Sequence, residues 1–371
     1  MSEPLLKVEV TATNNYQSGT VSAASEWEPS ANLPLKKYVA ERSNFHTHDD
    51  PQVFVQVMDW VASQWQHDGM NAAARDAGSL DILKSVHSKG ERYRCVEYGR
   101  VMADILSSMG YYSRSIGLQS TDVAYGGVGK GHVATEVWSN SLNKWLFFDP
   151  QFSVYAQYKG EPLNIYDIYL LKTQGKFKKI DFITTGQYAA ANNINSKNAK
   201  LAYGKFLSNY LGFHTSSAHM YGNKQNVYLM MEATTPALTF QGTGSTKRSL
   251  FTKQVDMAYP KINQTIISIA ALPNENQDVH TVMDEFNIQT QEEYLDHMWR
   301  FSARGELSMG FNSNMHNEVR YQIKIDEHPW VDLDSNEYNW QLAKGNNRLE
   351  ARSVSGKGVP GPVTFIDVSY Q

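Results

Sequence analysis

The chain has 371 residues, 41% hydrophobic and 19% charged, which suffices for two or three separately cored domains and is too apolar for a disordered polymer. Its formal charge of −4, from 34 basic and 38 acidic residues, lacks the basic footprint of a nucleic-acid binder. One cysteine excludes an internal disulfide and a Cys-rich zinc site, and no apolar run of about 18 residues offers a membrane span.

The start, Met1-Ser2-Glu3-Pro4, has neither a basic nor an apolar leader region. Two locations stay open: cytoplasmic, or periplasmic or secreted if a signal has been removed. Leu5–Thr13 alternates apolar and polar residues and reads as a strand, the core of an N-terminal extension over 1–35. Asp50 and Pro51 suit the N-cap and first position of a helix burying Phe54, Val57, Met58, Val61 and Trp65. Ser79 is the expected cap of a shorter helix through Leu80, Leu83 and Val86. A third helix begins at Cys95, carries Tyr98, Met102, Ile105, Leu106 and Met109 on one face, and ends at Gly110.

After Gly110 the period shortens. Tyr112–Leu118 reads as a strand, Thr121–Gly131 as a glycine-rich loop, and His132–Trp138 with Trp145–Phe148 as a hairpin. Short helices are expected at Ile165–Leu171 and Lys200–Leu211, with an exposed Asn-rich loop over Ala189–Lys200. From Asn226 nearly every segment reads β, so 36–225 and 226–371 are taken as separate domains, the second an antiparallel sandwich.

A cysteine nucleophile needs its thiolate, which a helix N-terminus favours, a base within hydrogen-bond reach, and a third group to fix the tautomer of that base. Cys95 opens a helix. His132 enters the hairpin and Asp149 leaves it, so the hairpin can bring the two together. Any of the three alone has an ordinary structural explanation; the trio in this order points to thiol chemistry.

Residues 91–118, ERYRCVEYGRVMADILSSMGYYSRSIGL, and 131–150, GHVATEVWSNSLNKWLFFDP, resemble the two halves of the transglutaminase-like signature. Asp59-Trp60-Val61 matches the helix that leads into the nucleophile, and the resemblance covers roughly residues 50–170. It implies an α+β, papain-like core with Cys95 as nucleophile, His132 as general base and Asp149 as its orienter. Cys95 N–H would be one oxyanion donor, and Trp65 or Gln66 a candidate second. Ala134 stands where the family often has Trp and Arg94 where Gly commonly precedes the cysteine; both are expected to reshape the substrate entrance. The resemblance implies no metal or organic cofactor and a protein or peptide substrate. Hydrolysis of peptide or carboxamide bonds is the first expectation; cross-linking transamidation and a non-catalytic binding role are the alternatives.

Other signals carry less. His46-Thr47-His48-Asp49-Asp50 has metal-ligand chemistry but precedes a helix start, where acids belong. Gly126–Gly131 lacks the residues of a phosphate loop, Gly356–Gly361 is a turn, and Asn263-Gln264-Thr265 matches a glycosylation sequon. The pattern from Trp340 to Leu349 resembles a hairpin of immunoglobulin-like modules. Trp330, Tyr338 and Trp340 there suit either a sandwich core or contact with a glycan or cell-wall polymer.

Overall fold

The computed structural model describes residues 8–15, 32–122, 131–184, 196–220, 223–236, 249–273, 279–297, 302–315 and 318–370. The architecture is mixed α+β with several antiparallel sheets, and the chain divides into two units, Ser22–Lys261 and Met1–Val21 with Ile262–Gln371. No helix among the described residues is long and apolar enough to cross a membrane.

The first strand, β1 (Val8–Thr13), pairs antiparallel with the last strand of the chain and so belongs to the second unit. In the unit Ser22–Lys261, four helices come first: α1 (Leu33–Ala40), α2 (Gln52–Ala62), α3 (Ser79–Lys89) and α4 (Cys95–Met109). Helix α2 buries Phe54, Val57, Met58 and Val61 as its spacing predicts. Its expected cap does not form: Asp50 instead accepts hydrogen bonds from the Ser139 hydroxyl at 2.5 Å and the Ser141 N–H at 3.2 Å, a tertiary contact that local pattern cannot reveal. Ser79 likewise lies inside α3 rather than capping it, and its hydroxyl donates to Asp104 Oδ2 at 2.5 Å. Helix α4 starts and stops where the sequence places it. Glu97 reaches back to the Arg94 N–H at 3.2 Å, and Gly110 closes the helix in the left-handed region at φ 108°.

A nine-stranded sheet follows among the described residues. Its path is β10 (Ser249–Thr252), β9 (Asn223–Met230), β8 (Phe213–Met220), β2 (Ser113–Gln119), β3 (Gly131–Ser139), β4 (Lys144–Asp149), β5 (Val154–Tyr158) and β6 (Glu161–Pro162), with β7 (Asp181–Thr184) paired to β5. All of these pairings are antiparallel except β10 on β9. Side chains alternate across β3, which gives the sheet two working faces. Thr135 donates to Gly99 O of α4 at 3.0 Å, while Ala134 joins Ile116, Leu118 and Phe147 in a core closed by α5 (Ile165–Thr173) and α6 (Ser196–Leu207). Gly99 is what lets α4 come so close: a Cβ there would meet Val133 Cγ1 at 2.8 Å and Ala134 O at 2.9 Å.

The division between units falls at 261/262, later than the change to β-rich sequence near 226. Strands β9 and β10 lie in the stretch that reads as β but extend the first sheet through β8, and the short helix α7 (Val255–Ala258) completes that unit. Parts of two expected loops, 123–130 and 189–195, lie outside the described residues, and 196–200 is helical rather than loop.

The second unit holds β11 (Thr265–Pro273), α8 (Val279–Glu285), α9 (Gln291–Asp296) and six further strands: β12 (Ser302–Ser313), β13 (Glu318–Ile325), β14 (Val331–Leu333), β15 (Glu337–Gln341), β16 (Gly345–Ser355) and β17 (Thr364–Tyr370). A five-stranded sheet, β1-β17-β16-β13-β14, and a three-stranded sheet, β11-β12-β15, share one apolar core. Met309, Phe311 and Trp340 come from one sheet and Leu349, Ala351 and Val368 from the other. Trp340 is 1% exposed, so it is core rather than a polymer platform, while Trp330 is half-buried under the Arg352 guanidinium. Asn263 of the sequon is buried as well.

Candidate active site

Cys95 is the first residue of α4, half-buried, on a helix whose opening N–H groups have no intrahelical acceptor. The hairpin β3–β4 pairs Thr135 opposite Phe148, which gathers its open end, where His132 enters and Asp149 leaves. There His132 Nε2 meets Asp149 Oδ2 at 2.7 Å, with His132 4% and Asp149 0% exposed. An ionised carboxylate only accepts, so Nε2 carries the proton and Nδ1 is left for the Cys95 thiol, which is hydrogen-bonded to the same imidazole. Burial alone would push the His132 imidazolium down. The facing Asp149 carboxylate and the Cys95 sulfur outweigh it and carry it up to about 10. The three residues singled out in the sequence therefore form one contiguous group.

Further residues join it that periodicity did not single out. Asp149 Oδ2 also accepts the Tyr203 hydroxyl at 2.8 Å, and its Oδ1 accepts the Gln151 N–H at 3.1 Å. The His132 ring is walled by Phe206 at 5.0 Å, edge-on at 82°, with Phe152 at 5.9 Å and Tyr210 at 6.0 Å. Tyr203 and Phe206 lie on α6, and Tyr210 follows three residues past its end. His67, in the segment after α2, lies within electrostatic reach: partial burial of its ring first, then the positive charge of His132, push its imidazole below the usual range. The neighbouring Asp68 N–H donates to Tyr93 O at 3.0 Å, which ties this segment beside the start of α4.

The two residues named as second oxyanion donors differ in setting. Trp65 is 7% exposed, lies against Tyr98 at 4.3 Å, accepts the Tyr98 hydroxyl on its carbonyl, and has an indole N–H without a partner among the described residues. Gln66 is exposed. Ala134 is fully buried in the sheet core, so it does not shape an entrance; Arg94 stays at the helix mouth, its guanidinium on Glu97 at 3.1 Å. Among the described residues no three His, Cys, Asp or Glu side chains are grouped to hold a metal, the 46–50 stretch included.

Behind the site, Glu136 is fully buried on β3 and gathers four donors. They are Arg114 at 2.6 Å, Tyr259 at 2.9 Å, the Ile165 N–H at 3.1 Å and His214 at 3.2 Å. Burial would raise this carboxyl, but the Arg114 guanidinium and His214 hold it down at about 2. Arg114 in turn lies over the Trp145 ring at 4.2 Å and donates to Ala258 O at 2.5 Å, which ties the 255–260 segment to the sheet. The sequence offered Glu136 only as part of a motif; its partners come from β2, β8, the start of α5 and the segment after β10.

No family model and no curated protein matches the chain. Among solved structures, a "Putative Cysteine Protease" from Cytophaga hutchinsonii shares 12% identity over 45% of this chain and 47% of its own, with a TM-score of 0.27. Red sea bream transglutaminase shares 12% identity over 86% of this chain and 56% of its own, with a TM-score of 0.29. A fibronectin(III)-like module of Clostridium thermocellum CbhA shares 12% over 17% of this chain and 72% of its own, with a TM-score of 0.14. The chain spans about half the length of the protease and transglutaminase chains it matches. These likenesses are too distant to assign an activity.

Proposed function

We propose that the unit Ser22–Lys261 is a thiol hydrolase of the transglutaminase-like kind, cleaving peptide or carboxamide bonds of a protein or peptide substrate. One observation supports this above all: a buried His132–Asp149 pair at 2.7 Å whose imidazole is hydrogen-bonded to a cysteine at a helix N-terminus. In this reading the Cys95 thiolate attacks the carbonyl carbon while its N–H steadies the oxyanion. The C–N bond then breaks, the imidazolium of His132 gives its Nδ1 proton to the departing amine, and a thioester remains. Water attacks the thioester, His132 takes the water proton, the C–S bond breaks, and the acid leaves as the Cys95 thiolate and the His132 imidazolium are restored. Asp149 holds the tautomer throughout. The rings of Phe152, Phe206 and Tyr210 around His132 favour a second reading, in which water is kept out and an amine takes the acyl group instead. In the second unit, the two-sheet core around Trp340 supports an immunoglobulin-like sandwich.

Alkylation by iodoacetamide at mildly acidic pH tests the shared premise. Cys95 should react faster than a free thiol, and His132→Ala should abolish the excess; equal rates in all three samples refute a thiol enzyme of either kind. Peptide release and amine incorporation on casein, run side by side, then rank hydrolysis against transfer.

A further inference from the structure

Helix α6 enters the site from residues far beyond the hairpin. Tyr203 and Phe206 are three positions apart and so share one face of it, and that face reaches both members of the His–Asp pair. Tyr203 donates to Asp149 Oδ2, the same oxygen that accepts from His132. With the Gln151 N–H on Oδ1, three donors fix the plane of the carboxylate, and only Tyr203 is a side chain from outside the hairpin and its exit turn. The Tyr203 ring is otherwise enclosed by apolar neighbours, Phe182 at 5.3 Å, Phe152 at 5.5 Å and Phe206 at 6.0 Å. Phenylalanine would fill that space equally well, so the hydroxyl is spent on the carboxylate. Burial and then the Asp149 charge push it well above its usual range, so it stays a protonated donor.

We infer that Tyr203 is the positioning residue of this site: its hydroxyl holds the Asp149 carboxylate in the plane that keeps the His132 ring turned to Cys95. The inference rests on the thiol-enzyme reading above. It predicts coupling. Removing the hydroxyl matters only while Asp149 is present to receive it.

The experiment is a double-mutant cycle on iodoacetamide alkylation of Cys95 in the full chain, followed by intact mass, which is unambiguous because the chain has one cysteine. Tyr203→Phe alone should slow the reaction about tenfold, the usual scale for losing an outer partner of an oriented imidazole. In an Asp149→Ala background the same change should alter the rate less than about twofold. Should Asp149→Ala not fold, Asp149→Leu, of similar size and with no acceptor, replaces it, with near-UV circular dichroism as the check on packing. Equal losses in both backgrounds would assign Tyr203 a general packing role and overturn the inference, as would a wild-type rate in Tyr203→Phe. If wild-type Cys95 reacts no faster than a free thiol, the enzyme reading fails and the inference falls with it. If it reacts fast and depends on His132 but not on Tyr203, only the inference fails.

Discussion

Replacing Gly99 with alanine probes how the helix that begins at Cys95 is set against the strand that carries His132. A Cβ at this position would stand 2.9 Å from Ala134 O and 2.8 Å from Val133 Cγ1, where ordinary contact begins at 3.4 Å. The valine can turn aside, but the carbonyl is backbone, so α4 must retreat from β3 by about half an ångström. That retreat stretches the buried Thr135–Gly99 hydrogen bond from 3.0 Å beyond useful length. Overpacking costs about 1–3 kcal/mol and the lost bond about 1 kcal/mol, offset by about 1 kcal/mol of helix propensity. The net loss is about 1–3 kcal/mol, a fall in Tm of roughly 2–12 °C for a unit of this size. Cys95 sits one turn away on the same helix and His132 on the facing strand. A half-ångström error between them should slow alkylation about tenfold, given that 1 Å can cost about a hundredfold. Thermal unfolding and the alkylation rate are measured on the same sample. A variant that melts higher than wild type and alkylates at the wild-type rate would show that the close approach has no bearing on the site.

Three further outcomes follow from the buried groups. Glu136→Gln leaves the buried Arg114 charge without its counter-charge and should cost about 3–5 kcal/mol, read as a lower urea midpoint at unchanged slope. The Glu136 carboxyl, at about 2 in the fold against 4.5 ordinarily, contributes stability that is complete above about 4.5 and lost as pH falls towards 2. In Glu136→Gln that stretch of the acid-unfolding curve should flatten. His132 has the opposite sign: raised from 6.5 to about 10, it contributes stability that is complete below 6.5 and lost as pH rises through about 10. The alkaline loss should shrink in His132→Ala, and an unchanged slope there would place the proton elsewhere. Trp340→Ala empties the core shared by the two sheets of the second unit and should cost about 3–5 kcal/mol in a transition that leaves Cys95 alkylation unchanged.

Local pattern carried the parts of this protein whose causes are local. Helix α4 was legible from end to end because its apolar spacing and Gly110 act within a turn or two of chain. The hairpin was legible for the same reason, and with it the proximity of His132 and Asp149, since alternation and a turn determine which ends meet. Caps were misjudged at Asp50 and Ser79 because side chains that suit a local cap found tertiary partners, Ser139 and Asp104, whose positions no window of sequence contains. The boundary lies at 261/262 for a related reason: β9 and β10 look like strands of any sheet, and only their pairing through β8 onto β2 assigns them to the first one. The same holds for β1, which is joined to the chain's last strand by Val8 opposite Tyr370. What tertiary structure alone decided is the surroundings of the buried carboxylates Asp149 and Glu136. Tyr203 reaches Asp149 across 54 positions and Tyr259 reaches Glu136 across 123, because a buried carboxylate must collect donors from wherever the fold brings them.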